Sequence, residues 1–380
     1  MLRDDTIKEL KKAFDQAKDG FLVVDAGQPK FAVIGFETYE RFRRAGPAQQ
    51  PASGTAQKIL VTGGAGYIGS HAVRLLQKLG YEIVVYDNLS TGRKEAVSGC
   101  RLVEADLADR EALRRVFAEE NFGSVMHFAA STSVEESMKD PAKYFQNNVL
   151  GGLNLIDAML ERGVSKLIFS STCAVYGTPS EFPVAENNPR VPESPYGLSK
   201  MMFEDILRWY ASAYKLNSIS LRYFNAAGAW PDENLGYRVG DNTLLVPRVM
   251  EVAVGRVSEI DVYGQDYGTK DGTAIRDYIH VLDVADSHVF ALQKLAELDG
   301  AHFYNVGSGE GSTVLEVIDA AVEVTSRMVP MKFCERRPGD PEKLYADTQK
   351  IRSELGWKSK HNLQEILASS WEWHKRLSGK

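Results

Sequence analysis

The chain has 380 residues, of which 44% are hydrophobic and 25% are charged, and a formal net charge of −6. This length allows one large two-lobed domain or two to three smaller ones, and the acidic balance argues against nucleic acid or an anionic membrane as the main partner. No apolar run is long enough to cross a bilayer and no signal-peptide pattern opens the chain, so a reducing cytoplasm is expected. The three Cys are widely spaced and the seven His show no ligand spacing, so neither a disulfide framework nor a metal site is predicted.

The first 57 residues differ in pattern from the rest of the chain. Residues 1–44 predict a helix–hairpin–helix module, with hairpin strands at 21–24 and 30–34 around a glycine- and proline-containing turn. Residues 45–57 are small, polar and rich in proline and glycine, which is typical of a linker.

One stretch of this module, Ala26-Gly-Gln-Pro-Lys-Phe-Ala-Val-Ile-Gly-Phe-Glu-Thr-Tyr-Glu-Arg41, resembles the antitoxin family of prevent-host-death type. That resemblance implies a small dimeric module that binds DNA and a toxin. Residues 1–44 carry nine Lys and Arg against eight Asp and Glu, however, so the segment is nearly neutral. We therefore favour an appended self-association or protein-interaction module over a DNA- or toxin-binding one.

A glycine-rich turn follows the linker, in Lys58-Ile-Leu-Val-Thr-Gly-Gly-Ala-Gly-Tyr-Ile-Gly69. The apolar run at its start predicts a buried strand, and an amphipathic helix is predicted from about Tyr67. In a dinucleotide-binding turn, Gly63 permits the sharp bend, Gly66 permits the backbone to approach a pyrophosphate, and Gly69 permits close helix–strand packing. The helix N-terminus would offer free N–H groups to the phosphates. An ordinary turn between a strand and a helix is the alternative interpretation.

The next predicted strand, at 82–86, ends in Asp87, which lies 21 residues after Gly66. A carboxylate at this place accepts hydrogen bonds from the ribose hydroxyls of a dinucleotide and repels a 2′-phosphate. Together with the glycine turn it predicts NAD, rather than NADP, as the cofactor.

Strands and helices alternate from Lys58 to about residue 224, which predicts an α/β fold with a doubly wound parallel sheet of Rossmann type. The predicted helices include 110–119, 142–162 and 196–214. Beyond residue 224 the elements become shorter, and 225–380 is expected to form a smaller C-terminal substrate lobe. A helix over 281–298 is expected to return to the sheet.

A ligand crevice is expected at the carboxyl ends of the strands, where the strand order reverses. Asp106 and the turn Phe128-Ala-Ala130 would border the adenosine of the cofactor there. Asp106 is alternatively, or in addition, the N-cap of the helix that follows it.

The chemistry is predicted to centre on Tyr196-Gly-Leu-Ser-Lys200. Tyr and Lys four residues apart lie on one face of a helix. An ammonium group, together with the positive nicotinamide ring, favours the phenolate and lowers the tyrosine pKa from about 10 toward neutrality, so that Tyr196 can take a proton from a substrate hydroxyl. Thr172 is a second hydroxyl, placed at a strand end, for the same substrate oxygen. An exposed helical pair is the alternative interpretation.

The chain from Lys58 onward resembles the extended short-chain dehydrogenase/reductase superfamily and, within it, the UDP-glucose 4-epimerases, over about 320 residues. The resemblance rests on six ordered motifs: Thr62-Gly-Gly-Ala-Gly-Tyr-Ile-Gly69, Asp87-Asn-Leu-Ser-Thr-Gly92, Tyr196-Gly-Leu-Ser-Lys200, Arg222-Tyr-Phe-Asn225, Gly272-Thr-Ala-Ile-Arg-Asp-Tyr-Ile-His-Val281 and Arg336-Arg-Pro-Gly-Asp340.

This resemblance implies an NAD-dependent epimerase that interconverts UDP-glucose and UDP-galactose through a 4-keto sugar, and a homodimer formed through the 142–162 and 196–214 helices. The implied catalytic residues are Tyr196, Lys200 and Thr172. The implied cofactor-binding residues are Gly63, Gly66, Tyr67, Ile68, Gly69, Asp87, Asn88, Asp106, Leu107, Phe128, Ala129, Ala130, Asn148, Tyr196, Lys200 and Tyr223. The implied substrate-binding residues are Thr172, Tyr196, Asn225, Arg276, Arg337 and Asp340. Surface ion pairs for the two Arg, and polar packing inside a helix for Asn148, are the alternatives.

Several positions depart from relatives within the superfamily. Thr172-Cys-Ala-Val-Tyr-Gly177 lacks the acidic pair of sugar-nucleotide dehydratases, which argues against dehydration. Thr132 stands where some epimerases carry Lys, and Leu244 where Asn or His is often found. Leu344 aligns with a sugar-gate position that is Tyr in some members, and a smaller gate admits N-acetylated sugars. Other UDP-sugars, including UDP-glucuronate and UDP-xylose, remain alternatives, as does a non-catalytic NAD-binding regulator.

Overall fold

The computed structural model describes residues 21–25, 28–33, 58–238, 244–337 and 339–379. It divides the chain into two units, Met1–Gly54 and Thr55–Lys380. In the first unit, strand β1 (Phe21–Asp25) pairs antiparallel with β2 (Gln28–Val33), which confirms the predicted hairpin. The predicted helices of this unit and the linker lie outside the described residues.

In the second unit, strands and helices alternate as predicted. In chain order the strands are β3 (Lys58–Thr62), β4 (Glu82–Asp87), β5 (Arg101–Glu104), β6 (Ser124–His127), β7 (Lys166–Thr172), β8 (Asn217–Tyr223), β9 (Asn225–Ala227), β10 (Ile260–Tyr263), β11 (Ile275–Arg276), β12 (Tyr278–His280), β13 (Ala301–Val306), β14 (Ser312–Thr313), β15 (Met331–Cys334) and β16 (Lys343–Leu344). The helices are α1 (Tyr67–Lys78), α2 (Arg110–Glu119), α3 (Val134–Lys139), α4 (Pro141–Tyr144), α5 (Gly151–Glu161), α6 (Pro195–Tyr214), α7 (Leu245–Ala253), α8 (Val281–Lys294), α9 (Val314–Thr325), α10 (Gln349–Glu354) and α11 (Leu363–Ser378).

The large sheet has the strand order β13-β8-β7-β6-β3-β4-β5, and its neighbouring strands pair in parallel. The order reverses between β3 and β6, because the chain adds strands first on one side of β3 and then on the other. This is the doubly wound Rossmann arrangement that the sequence predicts, and its crevice lies at the carboxyl ends of these two strands. Strand β13 joins the sheet from the C-terminal half of the chain, beside β8.

Helices cover both faces of this sheet, so its central strands are buried on both sides. Ile59, Leu60 and Val61 of β3 are fully buried. Helices α1 and α8 pack on one face through a cluster that includes Val73. Helices α2, α5 and α6 pack on the other face through a cluster that includes Phe203. Continuous apolar strands of this kind are what a parallel sheet covered on two faces requires.

The smaller lobe is built on a third apolar cluster, contributed by α7, α9, α11 and β10. Short parallel pairs, β9 with β12 and β10 with β15, extend it. Strand β11 lies between β14 and β16, which brings distant parts of the chain beside Arg276. Within the described residues, none of the helices has the length and apolar character needed to cross a bilayer.

Three local predictions differ from the structure. The predicted helix over 142–162 is interrupted by a π-helical turn, Phe145–Leu150, between α4 and α5. Asp106 does not cap α2; Asp109 does, because its side chain accepts from the N–H of Ala112 at 2.9 Å, one turn into the helix. The helix predicted over 281–298 ends at Lys294.

Candidate active site

A cleft of about 1860 Å³ opens at the carboxyl ends of the central strands, between the sheet and the smaller lobe. Most of the residues predicted from the sequence line it: Gly63, Gly66, Tyr67, Ile68, Gly69, Asp87, Asn88, Asp106, Leu107, Phe128, Ala129, Ala130, Thr172, Tyr196, Tyr223, Asn225, Arg276 and Asp340. Three predicted residues, Asn148, Lys200 and Arg337, are not part of its lining. Most of the residues predicted for the site thus lie along one cleft.

The glycine turn forms one end of the cleft, and each glycine has a different reason to be there. Gly63 has a φ of +70°, and a Cβ at this position would lie 2.3 Å from the backbone nitrogen of Ala129. A Cβ on Gly69 would lie 2.2 Å from the carbonyl oxygen of Gly63. A Cβ on Gly66 would meet that same oxygen at 3.3 Å and nothing closer. Gly63 and Gly69 are thus required by the fold, whereas Gly66 keeps the cleft side of the turn bare.

Helix α1 starts at this bare turn with an open N-terminus. Its N-cap is Gly66, which has no capping side chain, and its first turn contains no acidic residue. Free N–H groups and the positive end of the helix dipole therefore face the cleft, and both suit a pyrophosphate. These features fit the NAD phosphates predicted from the sequence.

Asp87 lies at the end of β4 on the adenosine side of the cleft, and it is held in place by the backbone. One carboxylate oxygen accepts from the N–H of Ala65 at 2.9 Å and the other from the N–H of Leu89 at 2.8 Å. Burial raises the pKa of Asp87, and these two N–H groups oppose that rise. Each oxygen retains a second lone pair, so the carboxylate can also accept from ribose hydroxyls.

Asp106 and Asn88 form a polar pair beside Asp87. The side-chain nitrogen of Asn88 donates to Oδ2 of Asp106 at 2.6 Å, while Oδ1 of Asp106 accepts from the N–H of Ala108 at 2.8 Å. The hydroxyl of Tyr86 donates to the carbonyl oxygen of Asp106 at 2.8 Å. The adenosine end of the cleft is thus an ordered set of acceptors and donors, as a nucleoside requires.

Helix α6 delivers the predicted tyrosine and lysine to the cleft. Ser194 caps its first turn by accepting from the N–H of Gly197 at 3.1 Å, and Pro195 occupies its first position. Tyr196 is 6% exposed and Lys200 is 2% exposed. Nζ of Lys200 donates to the carbonyl oxygen of Ser170 at 2.8 Å and lies 4.7 Å from the centre of the Phe169 ring. The exposed-pair alternative is therefore wrong, because both side chains are buried against β7.

The predicted lowering of the Tyr196 pKa is not produced by the side chains of the protein alone. Burial raises the pKa of Tyr196 well above its ordinary value, and the bond from the Thr172 hydroxyl only partly opposes the rise. Burial also lowers the pKa of Lys200 to about 7, so at neutral pH this amine carries only part of a positive charge. Desolvation therefore exceeds the effect that the sequence assigned to Lys200. Of the two positive charges expected to lower the pKa of Tyr196, the one that burial does not diminish is that of the oxidised nicotinamide ring.

Asn148 lies in the π-helical turn and connects the cofactor side of the cleft to α6. Its side-chain oxygen accepts from the N–H of Ser131 at 2.8 Å, and its nitrogen donates to the carbonyl oxygen of Ser131 and to the hydroxyl of Ser199, each at 3.0 Å. Ser131 lines the cleft and Ser199 precedes Lys200. Asn148 thus supports the site from behind, which agrees with the supporting role expected for it.

Polar groups of the smaller lobe face the other end of the cleft. Oδ1 of Asn225 is buried and has no hydrogen-bond partner among the described residues, although the residue lines the cleft. Arg276 forms an ion pair with Asp340 and is largely buried. An unpaired amide oxygen and a guanidinium in one cleft suit a substrate that carries both hydrogen-bond donors and negative charge.

Arg337 is not among the residues that line the cleft. Its guanidinium stacks on the ring of Tyr263, 3.8 Å from the ring centre, whereas the neighbouring Arg336 lines the cleft. Nε of Arg336 donates to Asp266 at 2.6 Å. A diphosphate contact by Arg337 stays a prediction.

Two residues behind the cleft escaped the sequence analysis. Glu204 follows Lys200 by one helical turn on α6, and Arg222 belongs to β8; they are 0% and 1% exposed and form an ion pair. Arg222 belongs to the motif Arg222-Tyr-Phe-Asn225, but the sequence did not predict that it pairs with Glu204. A Tyr-x-x-x-Lys-x-x-x-Glu spacing is the only signal in the sequence, and it is too common to identify a buried charge.

Comparison with known proteins agrees with this geometry. The model of the NAD dependent epimerase/dehydratase family matches residues 59–307. The UDP-glucose 4-epimerase of Lacticaseibacillus casei is 45% identical over 318 residues, which are 83% of this chain and 96% of that protein. The crystal structure of the UDP-glucose 4-epimerase from Brucella ovis in complex with NAD has a TM-score of 0.81 at 44% identity, covering 83% of this chain and 98% of that one.

A further solved structure, the UDP-Glc/GlcNAc 4-epimerase from Campylobacter jejuni, has a TM-score of 0.74 at 43% identity, covering 84% of this chain and 99% of that one. The family match and the relatives span the glycine turn, Asp87 and the buried Tyr196–Lys200 face. Through its second unit, which contains the matched residues 59–307, the chain belongs to the NAD dependent epimerase/dehydratase family.

Proposed function

We propose that the protein interconverts UDP-glucose and UDP-galactose by epimerisation at carbon 4 of the sugar. The single observation that carries this proposal is that Tyr196 and Thr172 meet at the wall of a cleft whose far end fits a dinucleotide. The relatives named above supply the substrate class, and the absence of a carboxylate between Thr172 and Gly177 argues against elimination of water.

Bound NAD supplies a hydride acceptor for carbon 4 and returns the hydride, so the reaction has no net redox change. The residues that hold it are the open N-terminus of α1 for the pyrophosphate and Asp87 for the adenosine ribose. Asn148 supports the wall of the cleft beside α6 through Ser131 and Ser199.

Tyr196 takes the proton from the sugar 4-hydroxyl, and Thr172 hydrogen-bonds the same oxygen. The phenol of Tyr196 is buried, so ionisation of it is costly unless positive charge is nearby. Lys200 supplies part of this charge from the same helix face and is fixed by the carbonyl oxygen of Ser170. When the 4-keto sugar is reduced on its other face, Tyr196 returns the proton.

Epimerisation also requires that the sugar turns while its nucleotide stays bound. Arg276, and Arg336 or Arg337, are the guanidinium groups available to the diphosphate, and Asn225 offers a buried amide. Leu344, on the sugar side, offers an apolar surface that forms no directional bond. A firm hold on the phosphates and a weak hold on the sugar favour turnover rather than ground-state binding.

The test is incubation of purified protein with UDP-galactose and, separately, with UDP-glucose, with both sugars followed by NMR. We expect the same equilibrium mixture from either side, without net formation of NADH. Failure to convert either sugar while converting UDP-glucuronate or UDP-xylose would show that the substrate is a different UDP-sugar.

A second candidate activity is epimerisation of UDP-N-acetylglucosamine. Leu344 is 8% exposed and lines the cleft at the position expected for the sugar gate. Leucine is smaller than tyrosine, so it leaves more room beside the sugar for an acetamido group. The Campylobacter jejuni relative, which acts on both sugars by its name, supports this candidate.

We also propose a homodimer. Leu150, beside α5, is 53% exposed, and Met202 and Trp209 of α6 are 38% and 76% exposed. Met202 and Trp209 lie seven residues apart on α6 and therefore share a face. Large exposed apolar side chains on neighbouring helices fit the helical dimer contact that the resemblance implies.

The remaining proposals concern location and the first unit. Cys100, Cys173 and Cys334 are free thiols, which is compatible with the expected reducing cytoplasm. For the first unit, a role in self-association or protein binding is proposed from its near-neutral charge. A mobility shift on upstream DNA without any turnover of UDP-sugars would instead favour the regulator alternative.

A further inference from the structure

Helix α6 presents three buried polar side chains, not two, to the end of β7. Tyr196, Lys200 and Glu204 follow one another at four-residue spacing and are 6%, 2% and 0% exposed. Four-residue spacing places them on one helix face, one turn apart. The buried carboxylate of Glu204 therefore lies one helical turn beyond Lys200 on the same face of α6, and the proposed mechanism gives it no role.

Each of the three side chains bonds to a different residue at the end of β7. Thr172 bonds the phenol of Tyr196, and the carbonyl oxygen of Ser170 accepts from Lys200 at 2.8 Å. The hydroxyl of Ser171 donates to Oε1 of Glu204 at 2.7 Å. Consecutive strand residues thus fix the helix at three points, and Glu204 makes the deepest of these contacts.

Arg222 holds the carboxylate of Glu204 in a bidentate pair. Nε of Arg222 donates to Oε1 at 2.9 Å and NH2 donates to Oε2 at 2.7 Å. Arg190 adds a third guanidinium bond, to Oε2 at 3.2 Å. A planar fork against a carboxylate fixes both position and orientation, so Glu204 has little freedom to move.

The same guanidinium extends the connection to two further strands. NH1 of Arg222 donates to the hydroxyl of Tyr176 at 2.7 Å, and Tyr176 donates to Oδ1 of Asn305 at 2.8 Å. Arg222 lies on β8 and Asn305 on β13, so the network joins α6 to three adjacent strands. It therefore ties the helix that bears Tyr196 to the sheet edge opposite the nucleotide.

Glu204 also differs in charge from every other group that surrounds Lys200. On β6, His127 is neutral, because burial, together with the nearby Lys200 charge, lowers its pKa to about 3. On β7 the neighbours are the Phe169 ring and the Ser170 carbonyl, and on β8 burial raises the pKa of Tyr223, so this phenol is neutral.

On its own helix, Lys200 has the neutral phenol of Tyr196 on one side and Glu204 on the other. Burial lowers the pKa of Lys200, and the charge of Glu204 is the effect that opposes it among the described residues. The guanidinium groups of Arg222 and Arg190 face Glu204 and reduce, but do not remove, its effect.

We propose that Glu204 is a positioning residue for the epimerase reaction: held by Arg222, its carboxylate fixes the Tyr196–Lys200 face against β7 and places a negative charge one turn from the Lys200 amine. This inference rests on the proposed function, since it concerns the same site. It adds a residue that contacts neither the cleft nor any group predicted to bind the substrate.

The test is Glu204→Gln, which keeps the shape of the side chain and removes its charge, measured on the NAD-bound enzyme with UDP-galactose. Neutral glutamine leaves the Lys200 amine with a lower pKa. We expect the alkaline decline of kcat to begin about one pH unit earlier, so that kcat at pH 8 to 9 falls about tenfold. KM should change less than twofold, because Glu204 does not line the cleft.

The single variant leaves Arg222 buried without a full partner, which destabilises the fold. The double variant Glu204→Gln/Arg222→Gln removes both charges and therefore restores much of the stability. It should keep the shifted pH profile, since the charge beside Lys200 is still absent. A merely structural role predicts the opposite: recovery of the parent profile together with the stability.

The matched control is Glu186→Gln. Glu186 is a half-buried carboxylate whose backbone carbonyl accepts from Arg222, and its side chain accepts from the N–H of Asn305 at 2.8 Å. Its kcat profile should match that of the parent. If the parent enzyme epimerises UDP-galactose and the double variant has the same pH dependence of kcat as the parent, the inference is overturned. Absence of turnover in the parent would instead overturn the proposed function.

Discussion

The amine of Lys200 lies 2.8 Å from the carbonyl oxygen of Ser170, so it is fixed by the strand and not by the phenol four residues before it. Thr172, two residues further along the same strand, bonds that phenol. The strand end thus holds both members of the catalytic pair. Their separation is set by the pitch of α6 and by the extended backbone of β7.

The role of Tyr196 is tested by Tyr196→Phe. The ring fills the same volume, so the fold and NAD binding should persist, while loss of the proton acceptor should reduce kcat about 10²- to 10⁴-fold. Bound nucleotide is measured by absorbance after denaturation, and turnover by NMR. Tyr214→Phe, at the exposed end of the same helix, is the control and should retain full activity. Full activity of Tyr196→Phe would refute the assigned base.

The glycines of the turn should separate into two classes. In Gly66→Ala the new Cβ meets only the Gly63 carbonyl oxygen, at 3.3 Å, so the melting temperature should change little while NAD affinity falls. In Gly69→Ala the Cβ would lie 2.2 Å from that oxygen. Helix α1 would have to shift to relieve this clash, so the free energy of unfolding should fall by about 1–3 kcal/mol or more.

Thermal unfolding and nucleotide titration on both glycine variants distinguish the two effects. Equal loss of melting temperature in the two variants would contradict the separation.

A pH-dependent contribution to stability is expected at the start of α11. Burial opposes protonation of His361, but its 2.9 Å bond to buried Asp283 outweighs burial and raises the pKa of the imidazole. A raised pKa in the folded state means that the stabilisation is complete below pH 6.5 and is lost as the pH rises through the folded-state value. The free energy of unfolding of the parent should therefore fall above pH 6.5 more steeply than that of His361→Asn.

The control for this experiment is His302→Asn, which removes an imidazole that contacts a backbone carbonyl oxygen, that of Asp299. Its stability should follow the same pH dependence as the parent. If His361→Asn kept the parent slope, the Asp283 pair would not be its source.

The breadth of substrates should depend on Leu344. Replacement by tyrosine fills space on the sugar side, so Leu344→Tyr should reduce kcat/KM for UDP-N-acetylglucosamine at least tenfold more than for UDP-glucose. Leu344→Met, which conserves volume, should change neither ratio appreciably. Parallel loss on both sugars after Leu344→Tyr would mean that Leu344 does not discriminate between them.

The dimer proposal is tested by charge substitution on the exposed helix face. Met202→Glu and Leu150→Glu place a carboxylate where an apolar contact is expected, and sedimentation velocity should then show monomers at concentrations where the parent is dimeric. Val191→Glu, at another exposed apolar residue, should leave the assembly unchanged. A monomeric parent chain would exclude this interface from the start.

The sequence predicted those features that depend on residues close together in the chain. The glycine turn, the strand ending in Asp87 and the helix beginning beside Tyr196 all follow from local spacing, and the structure confirms them. The alternative interpretation of Asp106 as the N-cap of α2 was wrong, because Asp106 and Asp109 both stand before the helix and only the backbone path decides which one reaches the N–H of Ala112.

Features set by contacts between distant parts of the chain were not predictable in this way. Glu204 and Arg222 are 18 residues apart, and their pairing depends on how α6 crosses β8. The effect of burial on Tyr196 likewise requires knowing what covers it. Composition and spacing report the charge of a side chain but not the solvent that the fold removes from it.

The position of β13 has a consequence for how the enzyme is made. This strand pairs with β8 at the edge of the sheet, yet it is synthesised only after α7 and β10 of the smaller lobe. When β8 has left the ribosome and β13 has not, the edge of β8 that will pair with β13 still has unpaired N–H and C=O groups, which another strand could bind. The parallel sheet is therefore complete only after part of the smaller lobe has been made, so a chain cut between the two lobes would lack the strand that pairs with β8.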